Sequence, residues 1–135
     1  MRKPARFKLL LCLLALLAAC SSEQSEIRAL LDARSQALQQ MSIQNYAAVL
    51  ANDYQDGQRD KAAVLAEMEA LFQQFDAIQM QVHSQEVRIL DDDTAQCEQS
   101  YTLKVKKDGV WRNVTRREQL LLHKAHDHWL IASGV

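Results

Sequence analysis

Four residues in the C-terminal half, Gln99, Tyr101, Arg116 and Glu118, are of types that bind ligands or move protons. A carboxylate can take a proton or hold a cation, a guanidinium can clamp an anion, and a phenol and an amide both donate and accept. Their relative placement follows from a turn. Asp108-Gly109 is a strong two-residue hairpin signal, because a type I′ turn needs positive φ at both positions. About that pivot, Leu103 faces Val114, Tyr101 faces Arg116, Gln99 faces Glu118, Cys97 faces Leu120 and Ala95 faces Leu122. A separate turn at Asp91-Asp92-Asp93 sets Ile89 opposite Ala95 and Val87 opposite Cys97, on the same face. That face is apolar at its ends and is therefore the inner one, with the polar quartet midway along it. Buried polar groups must be hydrogen-bonded or wet. Three readings stand open: a closed network in which Arg116 pairs with Glu118 and Tyr101 stacks on Arg116, a ligand pocket, or a catalytic site. A register slip of one residue would turn all four outward.

The other cluster is His123, His126 and His128. A four-residue loop, Lys124 to Asp127, would set His123 opposite His128, within about 5.5 Å, near enough for Zn²⁺ or Cu²⁺ with a third ligand. No Cys or Glu close in sequence completes such a site, so a polar hairpin tip is expected and no metal. Asp91-Asp92-Asp93 lacks the spaced oxygen ligands of a Ca²⁺ loop. With three glycines there is no phosphate-cradling loop, and no cofactor is implied. Cys97, alone in an apolar strand, reads as packing.

The elements that must position these groups are legible from periodicity. Ser21 and Gln24 have capping-box spacing, and behind them Ile27, Leu30, Leu31, Leu38 and Met41 share one helical face. Ser42 caps a short second helix with Ile43, Tyr46, Ala47 and Leu50 inward, and Asn52 to Gly57 breaks it. Asp60 caps a third, whose Val64, Met68, Leu71, Phe72 and Phe75 share a face. From Ile78 the period falls to two: Ile78, Met80 and Val82 alternate with polar residues. The alternation resumes at Val87 and Ile89 with its phase shifted by one, as a β-bulge within His83–Glu86 would produce. Turns at Asp91–Asp93, Asp108-Gly109 and Ala125-His126 then divide the rest into a four-strand antiparallel meander.

The N-terminus is of another kind. Arg2, Lys3, Arg6 and Lys8 precede an uncharged apolar run, Leu9 to Ala19. About eleven residues make a helix of roughly 16 Å, short of a hydrocarbon core of about 30 Å, so the pattern is that of an export signal. Leu17-Ala18-Ala19-Cys20 resembles the lipobox, where lipoprotein signal peptidase cuts before a lipidated cysteine. The resemblance implies a cleaved segment 1–19, a lipidated Cys20 with a short tether over 20–25, and a domain over 26–135. Ser21 at the next position resembles the outer-membrane sorting signal of enteric Gram-negative bacteria, implying a periplasm-facing anchor. With Cys12 removed and Cys20 acylated, Cys97 has no intrachain partner.

Four of the 16 basic residues leave with the signal, so 12 face 17 acidic ones and the mature charge is −5. That balance argues against nucleic acid or anionic lipid headgroups as partners, and Lys104, Lys106 and Lys107 read as a solvated strand end. The remaining 116 residues suit one domain.

Three helices before a long, bulged antiparallel sheet give an α+β cone that resembles the nuclear-transport-factor-two-like fold, shared with ketosteroid isomerase and polyketide cyclases. The resemblance covers about residues 23–134. It rests on Asn45-Tyr46 to Asp53-Tyr54, the capped third helix and Trp129-Leu130-Ile131. It implies a cone lined by the quartet and overhung by Tyr46 and Tyr54. The enzymes of this fold imply a carboxylate base, a role open here only to Glu118, with Tyr101 beside it. No second inward acid is in place for an Asp-Arg-Asp set. The reading adopted is non-catalytic binding of a small hydrophobic ligand or an envelope protein. An isomerase-, cyclase- or hydrolase-like enzyme and a homodimer through the outer sheet face (Glu98, Ser100, Thr102, Thr115, Arg117, Gln119) are the alternatives.

Overall fold

The computed structural model describes the backbone from Ala5 and side chains from Ser22. The lipobox-like side chains through Cys20, and with them the predicted lipidation, lie outside the described residues. Helix α1 spans Ala5–Gln40. No Gly or Pro interrupts this stretch, and it runs helically through Ser22–Ser25. The part of the expected short tether that is described, and the expected capping-box position, lie within continuous helix. Past Ile27 the helix buries Ile27, Leu31, Arg34, Ala37 and Leu38 on one stripe, the i, i+4, i+7, i+11 spacing of a core-facing helix.

Helix α2 spans Ile43–Val49; the Ser42 side chain accepts from the Asn45 N–H, satisfying one of its orphan donors. A two-residue strand β1 (Gln55–Asp56) pairs with β2 (Arg59–Asp60) around Gly57, a small hairpin absent from the sequence expectations. Asp60 then caps helix α3 (Lys61–Gln74) by accepting from the Ala63 N–H at 2.8 Å. Val64 is fully buried, and Met68, Leu71, Phe72 and Phe75 pack against the same core.

The sheet is an antiparallel meander, β3 (Ala77–Ile89), β4 (Thr94–Lys107), β5 (Val110–Ala125) and β6 (His128–Ser133), in that spatial order. Its register is the expected one. Leu103 pairs with Val114, Tyr101 with Arg116, Gln99 with Glu118 and Cys97 with Leu120, while Val87 pairs with Cys97 and Ile89 with Ala95. The β3 phase shift lies between Val82 and Ser84, leaving His83 as the extra residue of the bulge. Asp108 and Gly109 both have positive φ, as a type I′ turn requires. The last turn differs from expectation. His126 and Asp127 form a two-residue turn with φ of 50° and 62°, pairing Ala125 with His128 and His123 with Leu130. His123 and His128 are therefore not opposite each other, and the predicted cross-strand His pair does not form.

Gly134 sits at a close approach. A Cβ there would lie 2.0 Å from the Gln119 carbonyl oxygen, and its φ of +99° excludes most side chains. Just beyond it, the Val135 N–H donates to the Tyr54 hydroxyl and the Arg59 guanidinium donates to the Val135 oxygen.

The ends of the molecule differ. Lys124 bonds Glu23 of α1 at 2.8 Å, and its backbone N–H donates to the Asp93 oxygen. The β3–β4 and β5–β6 turns thus gather beside the residue-23 end of α1. Farther along, Ser35 donates to the Met80 oxygen, opposite Leu103. The Asp108-Gly109 turn lies beyond that point, at the far end from residue 23.

Candidate functional site

The floor of the cone is built around Glu118. The side chain of Arg34 comes off the buried stripe of α1 and grips both carboxylate oxygens, Nη1 to Oε1 at 2.5 Å and Nη2 to Oε2 at 3.2 Å. Gln99, the cross-strand partner of Glu118, donates its amide to Oε1 at 2.6 Å and accepts from Gln85 at 3.0 Å. Tyr46 of α2 accepts from Arg34 Nε at 3.3 Å. The network joins α1, α2, β3, β4 and β5, and the Arg34 and Glu118 side chains are only 5 % and 9 % exposed.

Its electrostatics follow from that closure. Burial alone would make the Arg34 cation easier to discharge, but the Tyr46 oxygen and the Glu118 carboxylate outweigh it and hold the guanidinium more firmly charged than in water. Tyr101, half-buried beside the network, has its phenol pKa raised first by burial and then by the charge of Glu118. Cys97, fully buried one pair farther in, has its thiol pushed up to about 11, again by burial and then by Glu118. A thiol so protonated is a poor nucleophile at neutral pH.

Of the sequence candidates, the fold brings Gln99, Glu118 and Tyr46 into one hydrogen-bonded set, with Tyr101 at its edge. Arg116 is not in it. The register places it on the inner face opposite Tyr101, yet it is exposed. Residues 110–117 of β5 are exposed on both faces, so inward parity buries nothing there, and a guanidinium with solvent in reach stays hydrated. Tyr54 is buried elsewhere, holding the Val135 backbone; burial raises its pKa above the usual phenol value.

The residue the sequence reading missed is Arg34. Its signal was present: Ile27, Leu31 and Leu38 define a helical stripe whose missing position, between Leu31 and Leu38, is Arg34. A charge at a core position of an amphipathic helix calls for a buried counter-charge, and Glu118 was the inward acid without a sure partner.

The inner face opens beyond this floor. Gln99 is 3 % exposed, whereas Val82 and Val114, farther along the same face, are 39 % and 41 % exposed. Tyr101 and Leu103 lie between, half-buried. Ile78 and Val105, the next pair on this face, are buried again at 1 % and 6 %. Beyond the sealed charged floor there is therefore a partly uncovered apolar stretch, with Arg116 at its rim, and not an open end. A second groove, of about 610 Å³, runs between the α2–β1 connection and the β5–β6 hairpin, lined in part by Asp53, His123, His126 and His128.

Comparison with solved structures supports the fold. A calcium/calmodulin-dependent protein kinase II association domain proposed in Xanthomonas campestris superposes with a TM-score of 0.70 at 23 % identity, covering 81 % of this chain and 82 % of that one. A nuclear-transport-factor-two-like protein with a cystatin-like fold from Novosphingobium aromaticivorans gives 0.73 at 14 % identity over 90 % and 84 %. A proposed dehydratase of the same fold family from Streptomyces avermitilis gives 0.74 at 11 % identity over 84 % and 94 %. No family model matches the sequence, and no curated protein is similar to it. The chain adopts the nuclear-transport-factor-two-like, cystatin-like α+β fold.

Proposed function

We propose that this chain is a membrane-anchored lipoprotein facing the periplasm, whose cone binds a small hydrophobic ligand without turning it over. The observation that carries the reading is the change along the inner face, from the sealed Arg34–Glu118–Gln99 floor to the exposed Val82 and Val114. A concave apolar wall with few polar groups at its base is the usual form of a small-molecule site, and leaving apolar surface exposed there without a ligand is unfavourable.

Glu118 argues against catalysis. A general base needs a free lone pair aimed at the substrate, and here both oxygens accept from Arg34, one of them from Gln99 as well. The similarity to a proposed dehydratase supports a second, enzymatic reading, with Glu118 beside Tyr101 as the base. That reading requires Arg34 to release the carboxylate when substrate enters.

Protein purified from its native host and extracted for mass spectrometry is expected to yield a co-purifying hydrophobic molecule in near-stoichiometric amount. The amount should fall in Val114→Asp, which charges the wall without touching the floor. Extracts free of any such molecule from both proteins would sink the binding reading. For the anchor, the mature N-terminal peptide should begin at Cys20 and carry acyl mass, and Cys20→Ala should leave the full chain unprocessed. An unmodified Cys20 in mature protein would sink it.

A further inference from the structure

The net charge of −5 conceals a strong separation. Six of the 12 basic residues left after residue 19 fall within 104–117: Lys104, Lys106, Lys107, Arg112, Arg116 and Arg117. The acidic residues at this end are Asp108 in the turn and Asp76, whose carboxylate accepts from the Asp108 N–H at 2.9 Å. Six cations against these two acids, and Glu98 beside Arg117, leave this region at +3, and the other 14 acidic and six basic residues leave the rest at −8. Arg117 spends part of its charge on Glu98 at 3.5 Å.

This end also exposes apolar side chains. Val110 is 57 % exposed and Trp111 43 %, directly after the turn, with the Lys106 ammonium 5.8 Å from the indole centroid. Among the described residues Trp129, the other indole, is buried. A hairpin end that combines an exposed Trp, an exposed Val and clustered Lys and Arg matches the chemistry of a bilayer interface, where indoles sit at headgroup level and cations meet lipid phosphates. A second copy of the chain, with its acidic body, is also complementary in charge. A stable protein interface buries about 800 Å² on each side, however, and a hairpin tip with two exposed apolar residues offers far less.

We infer that the end of the β4–β5 hairpin docks on an anionic lipid surface. The docking face lies at the far end from residue 23 of α1, so a chain held by its N-terminus presents it away from its own membrane. The inference does not rest on the concave ligand site. It uses the N-terminus only as a handle, and either the apolar run or a lipid on Cys20 serves for that.

The test uses the full chain held in dense donor vesicles of phosphatidylcholine. Fluorescent acceptor vesicles of phosphatidylcholine alone, or doped with phosphatidylglycerol, are added, and those that sediment with the donors are measured. Capture is expected for the anionic acceptors only and should vanish at high salt. K107E/R112E should weaken it by at least about thirtyfold, from the loss of two basic contacts, with an unchanged circular dichroism spectrum. Independently of any variant, Trp111 emission should shift to the blue when anionic acceptors are added. Equal capture of neutral and anionic acceptors, or no capture and no shift, overturns the inference. Donor vesicles that clump without acceptors, and stop doing so in K107E/R112E, overturn it in favour of docking between copies.

Discussion

Glu118 and Arg34 show how one residue's meaning depends on its partner. Alone, an inward carboxylate beside a phenol suggests a proton acceptor. Gripped at both oxygens by a buried guanidinium, it is a structural anion. Removing one charge strands the other, which typically costs about 3–5 kcal/mol, whereas replacing both with apolar residues is often close to neutral. Glu118→Gln and Arg34→Met should therefore each lower the free energy of unfolding in urea by about 3 kcal/mol or more, and the pair Arg34→Met/Glu118→Leu should recover most of it. If Glu118→Gln keeps full stability, the network is not a structural floor and the catalytic reading regains weight. Arg116→Ala, by contrast, should change stability by less than about 0.5 kcal/mol, since the side chain is exposed.

At the scale of elements, the turns and caps determine what can meet. Asp108-Gly109 sets the register that puts Gln99 against Glu118, and the bulge at His83 restores inward parity for Gln85 and Val87. Gly134 closes the sheet end against β5. An added methyl collides with the Gln119 oxygen, and escape means losing the bonds that Val135 makes with Tyr54 and Arg59. Gly134→Ala should lower stability by about 2 kcal/mol, roughly the worth of those hydrogen bonds. Gly109→Ala, with open space around it, should cost only the positive-φ strain of about 1 kcal/mol. Thermal unfolding of the two variants side by side checks the order, and equal losses would remove the close-approach argument.

For the molecule as a whole, burial leaves a pH signature on the alkaline side. The Cys97 thiol is raised from 9.0 to about 11, and the Tyr54 and Tyr101 phenols are raised as well. In each case the unfolded chain releases its proton first, so rising pH favours unfolding. For Cys97 the contribution is fully present below about pH 9 and is lost as pH rises through about 11. The urea midpoint should fall across that window, and Cys97→Ala should make the fall shallower. A variant with an unchanged slope would show that the tyrosines alone carry the effect. Charge segregation is the other whole-molecule property, an acidic body with a basic hairpin end, and the proposed docking on an anionic surface rests on it and not on the average charge.

Much of this architecture can be read from local sequence because its causes are local. Ser42 and Asp60 cap their helices through bonds three residues long. Period-two patterning and an Asp-Gly turn dictate the β4–β5 register, since side-chain alternation leaves no freedom once one pair is set. The same causes brought Gln99 and Glu118 together in advance. Tertiary structure alone decided which cation answers Glu118. Arg34 and Arg116 are 84 and two residues away in sequence, and periodicity put both on inward faces. Only the packing of α1 across the sheet, which sets Arg34 on Glu118, and the edge position of residues 110–117, which β6 does not reach, buried the first and left the second in water. Solvent access at a given position is a property of what lies across from it, which no pattern within one strand contains.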